Sequence, residues 1–370
     1  MNLTRVDSVV APDDDSLILY CPVRDERALV SLFLEYHRKL GIKYFVFVDN
    51  GSIDGTLEYL LSQTDCIIYT TEDSYAEARY AADWISELMR RHSFGQWALY
   101  LDCDELLVYE NCETIGVQEF LKSYKTGGCN SFYGIMLDVY SADPYGEIEF
   151  SDYQDFVEKD FYVDSDYVVR RQPRKPWKSK QKSKPIEIVG GPRCRIYSDL
   201  DSDSKRGWFS YLIAGQVDRF INYVPKFCMP LLARIWPRSS FAQYKSPLNL
   251  VGDDFKYNNS HRSSNQTYSP YLLGILHLKF SKELKQKLDP VFSYKNHYRR
   301  GLERFRLDGA LKRRRNPSFM TSCSVKYEDS RTLYRYSIIG EDASVVWQEK
   351  CCYYRTLHSA PSAQINEPKS

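Results

Sequence analysis

Along the first third of the chain, apolar residues come in short unbroken runs, separated by stretches where they recur every three or four positions. The runs are residues 16–23 (SLILYCPV), 44–48 (YFVFV), 66–70 (CIIYT) and 97–101 (WALYL). Each has the length of a strand and is apolar on both alternating faces, which predicts strands covered on both sides. After the first run, Asp25 is placed to cap a helix in which Leu29, Leu32, Phe33, Tyr36 and Leu40 keep helical spacing, and Gly41 stops it. A short helix is expected from Gly55-Thr56 to about Gln63, with Asp54 as its cap, and a longer one across residues 75–91. Continuous apolar strands alternating with amphipathic helices imply a parallel sheet with helices on both faces. Ligands of such sheets bind beyond the carboxyl ends of the strands. Here those ends carry Arg24-Asp25, Asp49-Asn50 and Asp102-Cys103-Asp104, so acidic residues collect at one edge.

The fourth run ends in three carboxylates within four residues: Asp102, Asp104 and Glu105. Clustered like charges at the end of a buried strand are costly unless something positive sits there. In an extended segment Asp102 and Asp104 share a side and Cys103 faces away. Two hard oxygen ligands on one side suit Mg²⁺ or Mn²⁺, which keeps its remaining positions for water and phosphate oxygens. Asp49-Asn50-Gly51-Ser52 reads as a turn, because Asn and Gly accept left-handed backbone angles.

The second half of the pattern is less regular. Residues 132–140 (FYGIMLDVY) read as a strand and 141–146 as a loop. Residues 160–184 then turn basic, with Arg170, Arg171, Arg174, Lys175, Lys178, Lys180, Lys182 and Lys184 among Pro173, Pro176 and Trp177. Paired glycines follow at Gly190-Gly191, which allow a sharp turn or a close approach to a ligand. Phe209, Ile213, Val217, Phe220 and Val224 form one helical stripe. Residues 299–306 and 312–315 continue the basic theme, and the chain after about residue 358 is polar and expected to be disordered.

Composition narrows the classes. The 370 residues carry a net charge of +1, which gives no case for nucleic acid as a partner. Mean hydropathy is −0.49, no apolar run reaches the length of a membrane span, and the polar start lacks a secretory signal's apolar core. The 10 cysteines include no C-x-x-C pair, so reduced thiols in a cytoplasm are expected rather than a disulfide frame or a zinc site.

Four segments in this order, CPVRDE (21–26), FVFVDNGSIDGT (45–56), AEARYAADW (76–84) and LYLDCDELLVY (99–109), resemble the nucleotide-sugar half of GT-A glycosyltransferases, within the family 2-like group. The resemblance extends to a bacterial branch through Gly190–Arg195, Lys245-Ser246-Pro247-Leu248, His261, residues 276–280 (LHLKF), 324–327 (SVKY) and 330–333. It departs where Leu278 replaces the usual aromatic. It covers about residues 16–340, with its nucleotide motifs the more specific part. It implies a GT-A-type α/β fold, with a domain over residues 16–280. That domain divides into a nucleotide-sugar half (16–110) and an acceptor half (111–280). A polar segment (1–15), a helical extension (281–357) and a disordered tail (358–370) complete the chain.

The resemblance also distributes roles. Val23, Arg24, Asp25 and Glu26 would line the nucleotide, and Asp49 would hydrogen-bond the base. Arg79, taken as a helical residue, would hold phosphates. Asp102, Cys103 and Asp104 would meet ribose, metal and diphosphate, with Lys279 facing the diphosphate. Asp102, Asp104 and His277 would ligate Mn²⁺ or Mg²⁺, with His261 in reserve. The implied reaction is metal-dependent, inverting transfer of a sugar from a nucleoside diphosphate, UDP expected, to a glycan or lipid-linked saccharide. Asp138, Asp253 and Asp254 are the carboxylates in plausible segments for a general base. The basic run and the Phe209 stripe would dock the enzyme on an anionic inner membrane surface. Two other readings compete. A haloacid-dehalogenase-type phosphatase wants Thr or Val where Leu106 stands, and places its D-x-D on the first strand. An inactive relative would serve as a membrane or assembly partner, against which the intact Asp102 and Asp104 argue.

Overall fold

A computed structural model describes residues 1–10, 16–124, 128–144, 148–165, 167–171, 186–193, 243–264, 266–280 and 318–341. In chain order its strands and helices begin with β1 (Thr4–Arg5), β2 (Ile18–Val23), α1 (Arg27–Lys39), β3 (Tyr44–Asp49), α2 (Thr56–Leu61) and β4 (Cys66–Thr70). Next come α3 (Ala82–His92), β5 (Trp97–Tyr100), β6 (Glu105–Val108), α4 (Val117–Ser123), β7 (Ser131–Asp138), α5 (Tyr153–Glu158) and β8 (Tyr162–Asp164). They continue with β9 (Tyr167–Arg171), β10 (Ile186–Gly190), β11 (Tyr244–Leu250), β12 (Tyr257–Asn259) and β13 (Arg262–Ser263). The last are β14 (Tyr268–His277), β15 (Ser324–Lys326) and α6 (Ser330–Arg335). The basic residues 172–185, the Phe209 stripe and the later basic segments lie outside the described residues.

Among the described residues, nine strands form one sheet in the order β1-β4-β3-β2-β5-β11-β7-β14-β6. Six of them, β2, β3, β4, β5, β7 and β14, run one way, and β1, β6 and β11 run against them. The sheet is therefore mixed and mostly parallel, with helices on both faces. The alternation within the apolar runs explains it. Leu19, Cys21, Phe45, Phe47, Cys66, Ile68 and Leu99 pack into a core with α1, while Ile18, Tyr20, Val46, Val48, Ile67, Tyr69 and Ala98 pack into a second core with α3. Trp84 of α3 is fully buried in the second core.

Helix α1 also closes an edge. Among the described strands β6 ends the sheet, and an open strand edge invites pairing with other chains. Tyr36 OH donates to the Leu107 carbonyl at 2.8 Å, and the Leu107 N–H reaches His37 Nε2 at 3.4 Å. One turn of α1 thus satisfies both backbone groups of an edge residue.

Three local expectations are corrected. Asp25 does not cap α1. The cap position belongs to Glu26, and Asp25 takes a left-handed backbone (φ 55°) with its carboxylate turned to the Ile53 N–H. The helix expected from residue 75 starts at Ala82. Arg79, Tyr80 and Ala81 before it are all left-handed (φ 50°, 61° and 64°), a conformation that costs roughly 1–2 kcal/mol per residue outside glycine. Residues 318–341, placed in a helical extension, contribute strand β15 paired with β8 and a helix, α6, that returns to the core, where Leu333 and Ile339 press on Gly274.

Candidate functional site

Because six strands share a direction, their carboxyl ends share an edge, and β2, β3, β5, β7 and β14 deliver Val23, Asp49, Asp102, Asp138 and His277 there. The antiparallel strands β6 and β11 begin at that edge, so they bring Glu105 and Lys245 to it. In register, His277 lies opposite Asp138 on one side and Glu105 on the other.

The loops after β2 and β3 are stitched into one rim. The Asp25 N–H donates to Ser52 Oγ at 3.0 Å and the Glu26 N–H to Thr56 Oγ1 at 2.9 Å. The Arg27 N–H donates to Asp54 Oδ2 at 2.9 Å, while Asp54 Oδ1 accepts the Thr56 N–H at 3.0 Å. Asp54 therefore ties down the starts of two helices. The Asn50 N–H donates to the Val23 carbonyl, which holds buried Val23 in place. Arg24 is exposed at the lip.

Asp49 is buried at the centre of this rim. Its Oδ1 accepts the N–H groups of Gly51 and Ser52, each at 3.0 Å, closing the turn that left-handed Gly51 (φ 77°) permits. Its Oδ2 is buried with no hydrogen-bond partner among the described residues.

Past β5 the D-x-D segment is a turn, closed by the Glu105 N–H on the Asp102 carbonyl, and not the extended strand expected. The two aspartates therefore take different partners. Asp102 Oδ2 lies 3.1 Å from Lys245 Nζ, and Oδ1 is buried without a partner among the described residues. Asp104 Oδ2 lies 3.4 Å from His277 Nε2, and the Asp104 carbonyl accepts the Leu278 N–H at 2.8 Å. Cys103 is buried in the core beside the Cys21 thiol, so its side chain turns away from the edge.

The histidine is held from behind. His277 Nδ1 donates to Asp138 Oδ1 at 2.7 Å, and Arg193 Nε donates to Asp138 Oδ2 at 2.6 Å. Gly191 enables this: a Cβ there would meet Tyr167 OH at 2.8 Å, so the glycine pair seats the chain against Tyr167 and turns it toward Arg193. Burial penalises the Asp138 carboxylate, but Arg193 and His277 hold it below the usual range. The same contest acts on Asp104, where His277, Lys279 and Lys245 outweigh burial and hold the carboxylate well below its ordinary value. His277 is raised, since Asp104 and Asp138 more than offset the burial that opposes its charge.

Asp104 Oδ2, His277 Nε2 and the unpartnered Asp102 Oδ1 are the groups available to a divalent cation. Asp138 behind His277 fixes the ring with Nε2 forward, as carboxylates do behind metal-bound histidines. The donor set fits Mn²⁺ or Mg²⁺ held by a few protein ligands with water and phosphate completing the shell. Among the described residues no group of three or more His, Cys, Asp or Glu side chains closes around one point. The reserve histidine, His261, donates from Nδ1 to the Tyr244 carbonyl at 3.1 Å, and burial and Lys245 push it down to about 4.

The remaining sequence candidates fall in different places. Lys279 is half-buried and close enough to Asp104 to act on its charge. Arg79 donates to the Asp83 carboxylate and the Asn258 carbonyl. Asp253 and Asp254 are exposed beyond the end of β11, where Leu250 pairs with Trp97 at the opposite edge of the sheet. Asp138 is enclosed by His277 and Arg193. None of the three carboxylates considered for a general base is thus open at this edge. Sequence reading missed Lys245 as a site residue, and Tyr75, whose half-buried phenol lies within electrostatic reach of Asp102 and Asp104.

No family model matches the chain, and no curated protein aligns with it. A protein assigned as a glucose-1-phosphate thymidylyltransferase, from Bacillus anthracis and solved with sucrose, is among the solved structures it matches. That match has 7% identity and a TM-score of 0.24, and it covers 34% of this chain and 56% of the other. So slight a likeness carries no argument about activity.

Proposed function

We propose that the chain is a metal-dependent GT-A-type glycosyltransferase that moves a sugar from a UDP-linked donor to a hydroxyl of a glycan or lipid-linked saccharide. The observation that carries this reading is two buried carboxylate oxygens without a partner among the described residues, Asp49 Oδ2 and Asp102 Oδ1, on the same sheet edge as the Asp104–His277 pair. A buried acceptor without a donor is costly, and a base N–H for Asp49 and a ribose hydroxyl or cation for Asp102 would satisfy both. A divalent cation bound by Asp104 and His277 would neutralise charge building on the leaving diphosphate. Lys279 would add a second positive charge beside it. Arg79 would join it. The rim of residues 23–26 would close over the nucleotide. The acceptor class and docking on an anionic membrane rest on sequence alone; among the described residues no helix is long and apolar enough to cross a membrane.

Thermal unfolding with UDP, GDP, ADP and CDP, each with and without MnCl₂, tests the reading. A ligand at about a hundred times its dissociation constant adds ~2.7 kcal/mol to stability. UDP with Mn²⁺ should raise the melting temperature by a few degrees, and more than either alone. A panel in which no nucleotide moves it, with or without the cation, contradicts the proposal.

A further inference from the structure

Lys245 is fully buried, and its ammonium touches two acidic side chains of the D-x-D turn. Nζ lies 2.6 Å from Glu105 Oε2, 3.1 Å from Asp102 Oδ2 and 4.2 Å from the centre of the Tyr100 ring. The same Glu105 oxygen accepts the Asp102 N–H at 2.8 Å, so one carboxylate bridges the ammonium and the turn backbone. Register on β7 breaks between Lys245 and Leu248, around Pro247. A buried ammonium is tolerated only where paired and hydrogen-bonded charges surround it. Here the surrounding charges are two of the three carboxylates that the turn packs into four residues.

We propose that Lys245 is a positioning residue, a resident counter-charge that preforms the D-x-D turn before any cation arrives and limits the negative charge such a cation meets. By holding Asp102 Oδ2 it leaves Oδ1 without a partner among the described residues, and through Glu105 it fixes the backbone from which Asp104 projects. In naming Asp104 and His277 as the cation's place, this rests on the function proposed above. The geometry of the Lys245 pairing does not depend on the donor.

The test uses full-length wild type, Lys245→Met, Glu105→Gln and the double variant Glu105→Gln/Lys245→Met, unfolded thermally with and without MnCl₂ and with no nucleotide present. Losing the ammonium leaves buried carboxylates uncompensated, so Lys245→Met should melt well below wild type. Glu105→Gln in the same chain should recover much of that loss, because glutamine keeps an acceptor for the Asp102 N–H and removes one negative charge. Mn²⁺ should raise the melting temperature of Lys245→Met more than that of wild type, since the cation supplies the missing positive charge. Losses that simply add in the double variant, or an equal Mn²⁺ shift in wild type and Lys245→Met, overturn the proposal. If Lys245→Met does not fold, the double variant decides: folding supports the charge role, and failure to fold overturns it. Failure of the donor reading is read separately, in the nucleotide panel on wild type described above, where UDP would then leave the melting temperature unchanged whatever the variants do.

Discussion

Asp49 shows how two readings of one residue can both hold. As a turn residue it accepts two hydrogen bonds on its carboxylate Oδ1, from the N–H groups of Gly51 and Ser52. As a candidate base contact it has Oδ2 left over. From sequence alone, Asp49→Asn would be the milder change, since one acceptor oxygen is kept. With Oδ1 taken up by the turn, that difference disappears for the proposed base contact. Asparagine keeps the turn with its one oxygen and puts an NH₂ donor where Oδ2 stood, facing the base N–H. Asp49→Asn should therefore stay within about 1 kcal/mol of wild-type stability yet lose UDP binding as badly as Asp49→Ala, which also gives up two hydrogen bonds at roughly 0.5–1.5 kcal/mol each. Urea denaturation and calorimetric titration with UDP check the two halves; full UDP affinity in Asp49→Asn moves the base pocket elsewhere. The acidic candidates were legible because each follows an apolar run. Lys245 was not, because 140 residues separate it from Glu105 and only the antiparallel insertion of β11 brings them together.

At the scale of elements, strands were easier to read than what joins them. An apolar run covered on both faces has few alternatives, whereas residues 75–81 keep an apolar spacing that passes for helix while three of them adopt left-handed angles. Arg79 consequently sits in a turn, held by Asp83. Helix α1 offers a cleaner test of packing. His37 donates from Nδ1 to the Phe33 carbonyl, presents Nε2 to the Leu107 N–H and is fully buried, and burial pushes its pKa down to about 3. Its folded-state value is depressed, so the unfolded chain takes up the proton first. Stability is unaffected above about pH 6.5 and is lost as pH falls from there toward 3, by ~1.4 kcal/mol per unit for one proton. His37→Gln, which retains an acceptor and cannot be protonated, should flatten the stability curve between pH 6.5 and 5 by about one proton's slope. Denaturant titrations across that range measure it; an unchanged slope would mean that His37 is not the neutral edge cap described.

The described residues are built on a mixed sheet, one edge of which gathers residues from seven of its strands and from the Arg193 turn. Its mostly parallel half was legible from the first hundred residues. Antiparallel β6 and β11, and the return of residues 318–341, follow from long-range pairing that local pattern does not encode. Leu333 of α6 is fully buried, and its Cδ1 lies 3.1 Å from where a Cβ on Gly274 would stand. Leu333→Ala should thus cost ~2–5 kcal/mol, as for other buried leucines. A cost under 1 kcal/mol by urea denaturation would show that this segment is peripheral to the sheet's stability.

Binding of a nucleoside diphosphate at this edge, together with a divalent cation held through Asp104, is the central proposal. Calorimetric titration of UDP into wild type and Asp104→Asn, each with and without MnCl₂, tests it most directly. Wild type should bind UDP more tightly with Mn²⁺, whereas Asp104→Asn should bind it weakly and gain little from the cation. Equal Mn²⁺-dependent UDP affinity in the two proteins would contradict it.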